Sequence, residues 1–420
     1  MIYVIIGCSA AGLNAAAAIR KADADGEILL LTREHAGHYS RPLLSYYLAG
    51  KIDEEGLLYG GGDYLDGIRT TLLSGKDVER LDVYAREAVC TDGSVFPYDR
   101  LLIACGGVAE QPDIPGVDLV GVFHFRTLVD TRAISATIER ARVCVTMGGG
   151  LVSLKAAEAL RERGVEEVHL VVGSDRVMSQ AMDAGGAALL TRRLSENGVH
   201  THTDESVEAV FGEDAPGGQG RRVRGVSLRG GGTLDCQMVL IGKRVRPDLS
   251  LARGAGIETD WGILVNERMQ TSVCDIYAAG DVAQAHDALH GEARVNALWP
   301  LAAQQGSVAG SNMAGRDAIY PGWFAMNSLQ VFGLPVVTMG LVTARQGDDL
   351  EVLTHVDERR GIYRKLVLRE GRLVGCAIVG DTDASCLAGL ARSRVDVSSF
   401  KEELVLRGLT DYRNAETLIT

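Results

Sequence analysis

The sequence has no clustered cysteines, no excess of positive charge and no low-complexity segment. Its eight cysteines are scattered, without a C-x-x-C or other close pair. This spacing excludes a local zinc or iron-sulfur motif and favours buried thiols in a reducing cytoplasm. The formal net charge of -12 argues against nucleic acid as a partner, because phosphate binding needs a basic surface.

Residues 1–19 carry no charge, but they do not predict a signal peptide or a membrane anchor. No basic segment precedes them, and Gly7 and Gly12 interrupt the stretch. We expect a buried strand followed by a buried helix. With 420 residues, of which 46% are hydrophobic and 23% charged, the chain should form two or three globular domains and no membrane span.

One pattern occurs twice, at residues 2–18 and 143–160: a hydrophobic strand, a glycine-rich turn and an alanine-rich helix. Such turns let the backbone approach a pyrophosphate, and the helix N-terminus then faces the phosphates. Ser9 replaces the middle glycine of the first copy and Ser153 the last glycine of the second. Two copies predict two bound dinucleotides. The predicted contacts are Gly7, Ser9, Ala10, Ala11 and Gly12, and then Gly148, Gly150, Leu151 and Val152.

The residues after the second strand of each copy bear on the identity of the nucleotides. Glu34 lies 22 positions beyond Gly12, near where dinucleotide folds place the carboxylate that binds a ribose hydroxyl. In the second copy, the predicted strand at 168–172 ends without such a carboxylate, and Asp175 and Arg176 follow shortly after. Arg176 could serve a 2′-phosphate, so NADP(H) is not excluded, but we favour NAD(H).

Three segments carry a family resemblance: Tyr-Ser-Arg-Pro-Leu-Leu-Ser at 39–45, Tyr-Asp-Arg-Leu-Leu-Ile-Ala-Cys-Gly-Gly at 98–107 and Ile-Tyr-Ala-Ala-Gly-Asp-Val at 276–282. Together they resemble the FAD-dependent pyridine nucleotide-disulfide oxidoreductases across essentially the whole chain. The resemblance implies an α/β fold with two Rossmann-like dinucleotide-binding domains and a C-terminal α+β interface domain. The expected boundaries are 1–112 plus 245–320 for FAD, 113–244 for NAD(P) and 321–420 for the last domain.

Disulfide reductases of the family carry a redox cysteine pair near the first helix, whereas its coenzyme A-disulfide and peroxide branches carry a single cysteine shortly after the second strand. At the position of that single cysteine, this chain has Arg41 between Ser40 and Pro42. No thiol is therefore available there to relay electrons. The Ser-Arg-Pro-Leu-Leu-Ser form instead resembles the branch of rubredoxin and ferredoxin reductases and of the flavin module of NADH-dependent nitrite reductases. This branch implies FAD, NAD(H) and an iron-sulfur electron-transfer partner.

The resemblance also assigns roles to individual residues. In ferredoxin-reductase relatives, a lysine at the position of Tyr46 pairs beside the flavin with a glutamate at the position of Lys155. The resemblance therefore implies that Tyr46 and Lys155 lie beside the flavin, and we predict that Lys155 places positive charge near flavin N5. A solvated helix lysine is the alternative. Trp299 would stack on the flavin or lie in the core, and Asp281 would bind the ribityl and phosphate region or cap a helix. The other implied cofactor contacts are Arg33, Arg41, Pro42, Ala104, Gly106, Gly242 and Gly280.

Other segments predict less. Three histidine pairs have ligand-like spacings, but no carboxylate or cysteine set completes a metal site, so no metal is predicted. Residues 212–220 indicate an exposed hairpin loop. Residues 359–372 contain six basic residues and one acidic residue, which favours a solvated face, with a docking patch for an acidic electron carrier as the alternative.

Taken together, these features predict a cytoplasmic flavoprotein that moves hydride between NAD(H) and FAD and single electrons between FAD and an iron-sulfur protein. It would act as the flavin subunit of a larger redox complex, as a homodimer or hetero-oligomer. A stand-alone NADH oxidase or small-acceptor reductase is one alternative. A non-catalytic assembly subunit that binds FAD is the other.

Overall fold

The computed structural model describes residues 1–214, 220–242, 245–343, 349–381 and 385–407. The described residues divide into two compact units. Unit 1 contains residues 1–110, 126–133 and 245–324, and unit 2 contains residues 111–125, 134–242 and 325–407. The three-domain boundaries expected from the sequence remain a prediction.

The strands are numbered in chain order. They are β1 Ile2–Ile6, β2 Glu27–Thr32, β3 Thr71–Ser74, β4 Val78–Asp82, β5 Glu87–Cys90, β6 Val95–Pro97, β7 Arg100–Ile103, β8 Gly107–Ala109, β9 Val122–His124, β10 Val143–Met147, β11 Glu167–Val171, β12 Val199–His202, β13 Val207–Asp214, β14 Arg221–Leu228, β15 Gly232–Asp235, β16 Met238–Ile241, β17 Val245–Pro247, β18 Ile263–Leu264, β19 Ile276–Ala278, β20 Ala283–Asp287, β21 Glu292–Arg294, β22 Met326–Val331, β23 Leu334–Gly340, β24 Glu351–Asp357, β25 Ile362–Arg369 and β26 Arg372–Val379.

The α-helices are numbered in the same way. They are α1 Ala10–Ala22, α2 Leu44–Leu48, α3 Tyr64–Gly67, α4 Leu128–Ile138, α5 Leu151–Glu162, α6 Ala184–Glu196, α7 Ser250–Gly254, α8 Trp299–Met313, α9 Ser385–Arg392 and α10 Lys401–Arg407. Short 3-10 helices cover Arg41–Leu43 and Glu55–Leu57.

Each unit contains a five-stranded parallel sheet, and four strands have the same arrangement in both sheets. The fifth strand comes last in the chain in unit 1 (β19) and first in unit 2 (β9). The strand order is β19-β7-β1-β2-β3 in unit 1 and β12-β11-β10-β16-β9 in unit 2. In both, the strand that leads into the glycine turn is central, and the strand that follows its helix lies beside it in parallel register. The α/β fold class with two Rossmann-like sheets is therefore confirmed.

The central strands are hydrophobic without alternation because helices cover a parallel sheet on both faces. β1, β10 and β16 are almost entirely buried along their lengths. The predicted bounds need small corrections at their ends. β11 covers Glu167–Val171 rather than the predicted 168–172.

Helices α1 and α8 of unit 1 pack at close range because small residues face each other. A methyl group on Gly306 would lie 2.1 Å from the carbonyl oxygen of Ala11, and one on Gly310 would lie 2.3 Å from that of Ala15. This contact fixes the first helix against the segment that follows the Ala-Ala-Gly-Asp motif. The predicted hairpin loop at 212–220 connects β13 and β14, and its residues 215–219 lie outside the described residues.

The last described elements form an antiparallel sheet in the order β22-β23-β26-β25-β24, with α9 and α10 after it in the chain. The basic segment at 359–372 forms part of this sheet. Arg364 and Lys365 are buried, and they pair with Asp381 and Asp183. The four exposed basic residues sit at opposite ends of β25, about 25 Å apart at roughly 3.4 Å per residue. The segment therefore does not form one continuous basic patch.

Candidate functional site

The first glycine turn is built by close backbone contacts in unit 1. Gly7 has a φ of +119°, and its N–H donates to the Leu31 carbonyl at 2.8 Å. A methyl group on Gly7 would lie 2.1 Å from the Ala104 carbonyl oxygen, and one on Gly12 would lie 1.9 Å from the Gly7 carbonyl oxygen. No side chain can therefore occupy the turn, and the N-terminus of α1 remains open, as a pyrophosphate requires.

The predicted ribose carboxylate, Glu34, belongs to a hydrogen-bonded group next to this turn. The Tyr39 hydroxyl donates to Glu34 Oε2 at 2.6 Å, and the guanidinium of Arg41 pairs with Glu34 Oε1. The backbone N–H of Leu128 donates to the Tyr39 hydroxyl at 3.2 Å. The residues that stand where relatives carry a thiol thus hold a carboxylate in place.

A second arginine joins this group. Arg41 Nη1 donates to the Arg126 carbonyl at 2.8 Å, and Arg126 Nη2 lies 3.8 Å from Asp281 Oδ2. Burial, and then the neighbouring Arg41, lower the pKa of Arg126, while burial raises the pKa of Asp281 against the opposing effect of both arginines. Two partly buried cations beside the glycine turn suit a ligand that carries phosphate.

Sequence reasoning missed Arg126, although a signal was present. Thr127 and Asp130 form a reciprocal cap at the start of α4: the Thr127 N–H donates to Asp130 Oδ2 at 2.8 Å, and the Asp130 N–H donates to Thr127 Oγ1 at 3.1 Å. The Thr-x-x-Asp spacing is that of a capping box, so it places Arg126 directly before a helix.

The other predicted contacts in unit 1 are distributed around this centre. Arg33 is exposed and pairs with Asp248 at 3.3 Å. Gly280, with a φ of +84°, donates its N–H to Gln305 Oε1 at 2.8 Å. Ala104 is buried directly after β7, Gly106 has a φ of +72°, and Pro42 is exposed in the 3-10 helix. These positions remain predicted cofactor contacts.

The two aromatic residues predicted to lie beside the flavin differ in exposure. Tyr46 is 40% exposed, with the Lys51 ammonium 5.8 Å from its ring centroid. Trp299 opens α8 and lies 5.8 Å from the ring of Tyr59, which contacts Asn14 of α1. Trp299 is therefore connected to the first helix, and Tyr46 lies on the surface of unit 1.

The second glycine turn repeats the first in unit 2. Gly148 has a φ of +117°, its N–H donates to the Val171 carbonyl at 2.8 Å, and Gly150 caps α5. Ser153, which replaces the third glycine, is fully buried, and its hydroxyl lies 3.4 Å from the Gly242 carbonyl. The serine fits because residue 242 is glycine: a methyl group there would lie only 2.1 Å from the Ser153 Oγ. Leu151 and Val152 begin α5, and Val152 is 49% exposed.

Lys155 and Glu158 form a largely buried ion pair on α5. The Lys155 ammonium contacts the Glu158 carboxylate and donates to the Gln330 carbonyl at 3.1 Å. Glu158 also accepts a hydrogen bond of 2.8 Å from the Phe332 N–H. Lys155 therefore binds the end of β22, and Glu158 binds the turn between β22 and β23, a role that sequence reasoning missed for Glu158.

Comparison with known proteins identifies the class to which these two dinucleotide sites belong. The family model for pyridine nucleotide-disulphide oxidoreductases matches residues 1–306, and that of the rubredoxin NAD+ reductase C-terminal domain matches residues 326–388. The chain belongs to the pyridine nucleotide-disulphide oxidoreductase family. It is therefore an FAD-dependent oxidoreductase that binds FAD and NAD(H), which confirms the predicted family, enzyme class and cofactors.

Two relatives and one solved structure illustrate the likeness. The chain is 31% identical to the epsilon subunit of NADH-dependent phenylglyoxylate dehydrogenase from Aromatoleum evansii over 97% of this chain and 95% of that one. It is also 31% identical to an NADH oxidase from Methanocaldococcus jannaschii, over 90% and 87% of the two chains. A ferredoxin reductase from Rhodopseudomonas palustris superposes with a TM-score of 0.81 and 25% identity, covering 90% and 91%.

Two further observations concern the described part of the chain. Within it, no helix combines the length and the apolar character needed to cross a membrane. Within the same ranges, no cluster of three or more histidine, cysteine, aspartate or glutamate side chains is arranged to hold a metal ion.

Proposed function

We propose that this protein is the NADH-linked flavin subunit of a larger redox complex and passes single electrons from FAD to an iron-sulfur protein. The observation that carries the proposal is the presence of Arg41 in place of a redox thiol. Arg41 stands where the single-cysteine branches of the family have their thiol, and it is bound to Glu34 and to the Arg126 carbonyl. Electrons that reach the flavin therefore have no thiol at this position through which to leave.

The cysteines in the neighbouring motifs do not replace that thiol. Burial, followed by the charge of Glu34, raises the pKa of Cys8 to about 12. Burial, followed by the charge of Asp248, likewise raises the pKa of Cys105 to about 12. Near neutral pH, only about one thiol in 10⁵ would be ionised, and the thiolate is the reactive form. An external acceptor is the remaining route.

The residues of unit 1 fit the role of holding the cofactor. Gly7, Gly12 and the open end of α1 would accept the pyrophosphate, and Arg41 and Arg126 supply positive charge. When bound, FAD supplies the conversion from a two-electron hydride donor to one-electron release. In unit 2, the turn at Gly148 and Gly150 would hold the pyrophosphate of NADH.

We also propose that Lys155, Tyr46 and Trp299 act at the flavin, as expected from the sequence. The Lys155 charge is paired with Glu158, so its effect on the flavin would be smaller than that of an isolated ammonium. The proposed placement of Trp299 at the flavin is supported by its packing against Tyr59, which contacts α1. A cytoplasmic location, association with other subunits and the three-domain boundaries belong to the same proposal.

The likeness to a dehydrogenase subunit, which spans nearly the whole of both chains, supports the subunit role. The likeness to a ferredoxin reductase supports an iron-sulfur acceptor. One alternative also has specific support, because the chain is equally similar to an NADH oxidase over most of both lengths. A stand-alone oxidase would reduce oxygen rapidly without any protein partner.

The deciding experiment is anaerobic stopped-flow reduction of the FAD-loaded protein by NADH, followed by mixing with either a low-potential ferredoxin or oxygen. The proposal expects rapid bleaching by NADH, fast reoxidation by ferredoxin and slow reoxidation by oxygen. Fast reoxidation by oxygen together with slow reoxidation by ferredoxin would replace it with the oxidase function. Absence of bleaching by either NADH or NADPH would refute both.

A further inference from the structure

The loop at 172–183 follows β11 at the place where Rossmann folds contact the 2′ position of the adenosine ribose. It is fastened to the second glycine turn, because the Met178 N–H donates to the Gly149 carbonyl at 2.7 Å. The two segments also pack tightly, since a methyl group on Gly149 would lie 2.7 Å from Val172 Cγ1. The loop therefore has a defined position relative to the phosphate-binding turn.

Arg176 is the residue of this loop that could bind a 2′-phosphate, but its guanidinium is already engaged. Its Nη1 lies 2.6 Å from Asp175 Oδ2, and its Nε donates to the Met182 carbonyl at 3.0 Å. The Ser174 hydroxyl donates to the Arg176 carbonyl at 2.8 Å and fixes the backbone as well. A 2′-phosphate would have to displace these contacts.

The end of the loop is held by the C-terminal sheet, which is the antiparallel sheet β22-β23-β26-β25-β24. Asp183 caps α6, and its Oδ2 accepts hydrogen bonds of 2.7 Å from both the Tyr363 hydroxyl and the Lys365 ammonium of β25. The Lys365 side chain is only 9% exposed. Burial acts to raise the pKa of Asp183, but the bonds from Lys365 and Tyr363 outweigh it and lower that pKa. The carboxylate is therefore ionised and firmly bound at neutral pH.

The fit around this anchor is close. A methyl group on Gly185, in the first turn of α6, would lie 2.6 Å from the Tyr363 ring. Asp183 directly follows Met182, whose carbonyl binds Arg176. A shift of Asp183 would therefore move the acceptor that holds the guanidinium.

We propose that Lys365 and Tyr363 of the C-terminal sheet are positioning residues for coenzyme choice: by holding Asp183, they keep Arg176 bound to Asp175 and Met182 and unavailable to the 2′-phosphate of NADPH. The inference deepens the proposed function by naming what enforces its NADH preference, and it rests on that preference. Releasing either end of the loop frees Arg176 for a phosphate. The expected result is better use of NADPH relative to NADH.

The test is anaerobic stopped-flow reduction of the FAD-loaded protein by each coenzyme, which gives the Kd and limiting rate for both. Asp175→Asn removes the direct partner of Arg176 and should lower the ratio of NADH to NADPH efficiency about tenfold, as expected for one charge-assisted hydrogen bond. Lys365→Met and Tyr363→Phe should change the ratio in the same direction, mainly through the Kd for NADPH. Lys365→Arg keeps the positive charge and should leave the ratio of NADH to NADPH efficiency near its wild-type value.

Two controls separate positioning from general damage. Lys401→Met removes another lysine ion pair of the C-terminal sheet, the one with Glu351, and should leave the ratio unchanged. In an Arg176→Met background, Lys365→Met should no longer alter the ratio, because the phosphate-binding group is gone. Melting temperatures of all variants would identify any simple loss of stability, and Tyr363→Phe provides the test if Lys365→Met fails to fold.

An unchanged ratio in Lys365→Met and Tyr363→Phe, or a change that persists without Arg176, would overturn the inference. These outcomes are distinguishable from failure of the proposed function. If the wild-type protein itself prefers NADPH, the coenzyme part of that function fails. If the wild-type protein prefers NADH and the Lys365→Met and Tyr363→Phe variants have the same ratio as the wild type, only the positioning role is refuted.

Discussion

Replacing Lys155 by methionine tests both the buried pair on α5 and the predicted effect on the flavin. The side chains of Lys155 and Glu158 are 18% and 6% exposed, so water screens this pair little. Lys155→Met would leave the Glu158 carboxylate buried without its ammonium partner. Glu158 would keep its bond to the Phe332 N–H, which compensates a carboxylate only in part.

The magnitude follows from the cost of an unpaired buried charge. Removing one partner of such a pair typically costs about 3–5 kcal/mol, whereas replacing both partners by neutral groups can be almost neutral. Lys155→Met should therefore lower the stability of unit 2 by about 3 kcal/mol or more. The double variant with Glu158→Gln should recover most of that loss, which gives a large coupling energy in the cycle.

Urea unfolding followed by circular dichroism would measure the stabilities, and spectroelectrochemistry of the FAD-loaded variants would measure the flavin potential. The potential should fall in Lys155→Met, because a positive charge near flavin N5 favours the anionic reduced form. In the double variant it should return toward the wild-type value. A loss of stability with an unchanged potential would refute the placement of Lys155 at the flavin, and an unchanged stability would refute the reasoning about the buried pair.

Two further predictions follow. Gly12→Ala should abolish retention of FAD, since its methyl group would lie 1.9 Å from the Gly7 carbonyl oxygen, while Gly67→Ala, which meets nothing within 4 Å, should retain it; flavin absorbance after gel filtration measures both. Acid should destabilise unit 2 through His169 and His202, whose ring nitrogens lie 3.0 Å apart and whose pKa values burial lowers. The unfolded chain then takes up protons first, so this stability is complete above about pH 6.5 and is lost as the pH falls below it. Urea midpoints at high and low pH should differ less in His202→Gln, and an equal difference would contradict this assignment.

The sequence alone determined the two dinucleotide-binding units and the family. Glycine turns between an apolar strand and a small-residue helix impose geometry within about twenty residues, so Gly7, Gly12 and Gly148 could be placed without tertiary information. The absence of a thiol at position 41 could also be recognised from the sequence, because it depends on one residue in a local motif. Such features are local in the chain, and local patterns survive in sequence.

Only the tertiary structure decided which charges meet. Arg126 reaches Asp281 across more than 150 residues, and the Lys365 ammonium binds Asp183 across 182 residues. The basic segment looked uniform in sequence, yet folding buries Arg364 and Lys365 and places the remaining cations at opposite ends of β25. Charge pairing depends on distance in space and on burial, which composition does not encode. For that reason the two glycine turns could be predicted from the sequence, whereas the contacts that hold the charged groups near them could not.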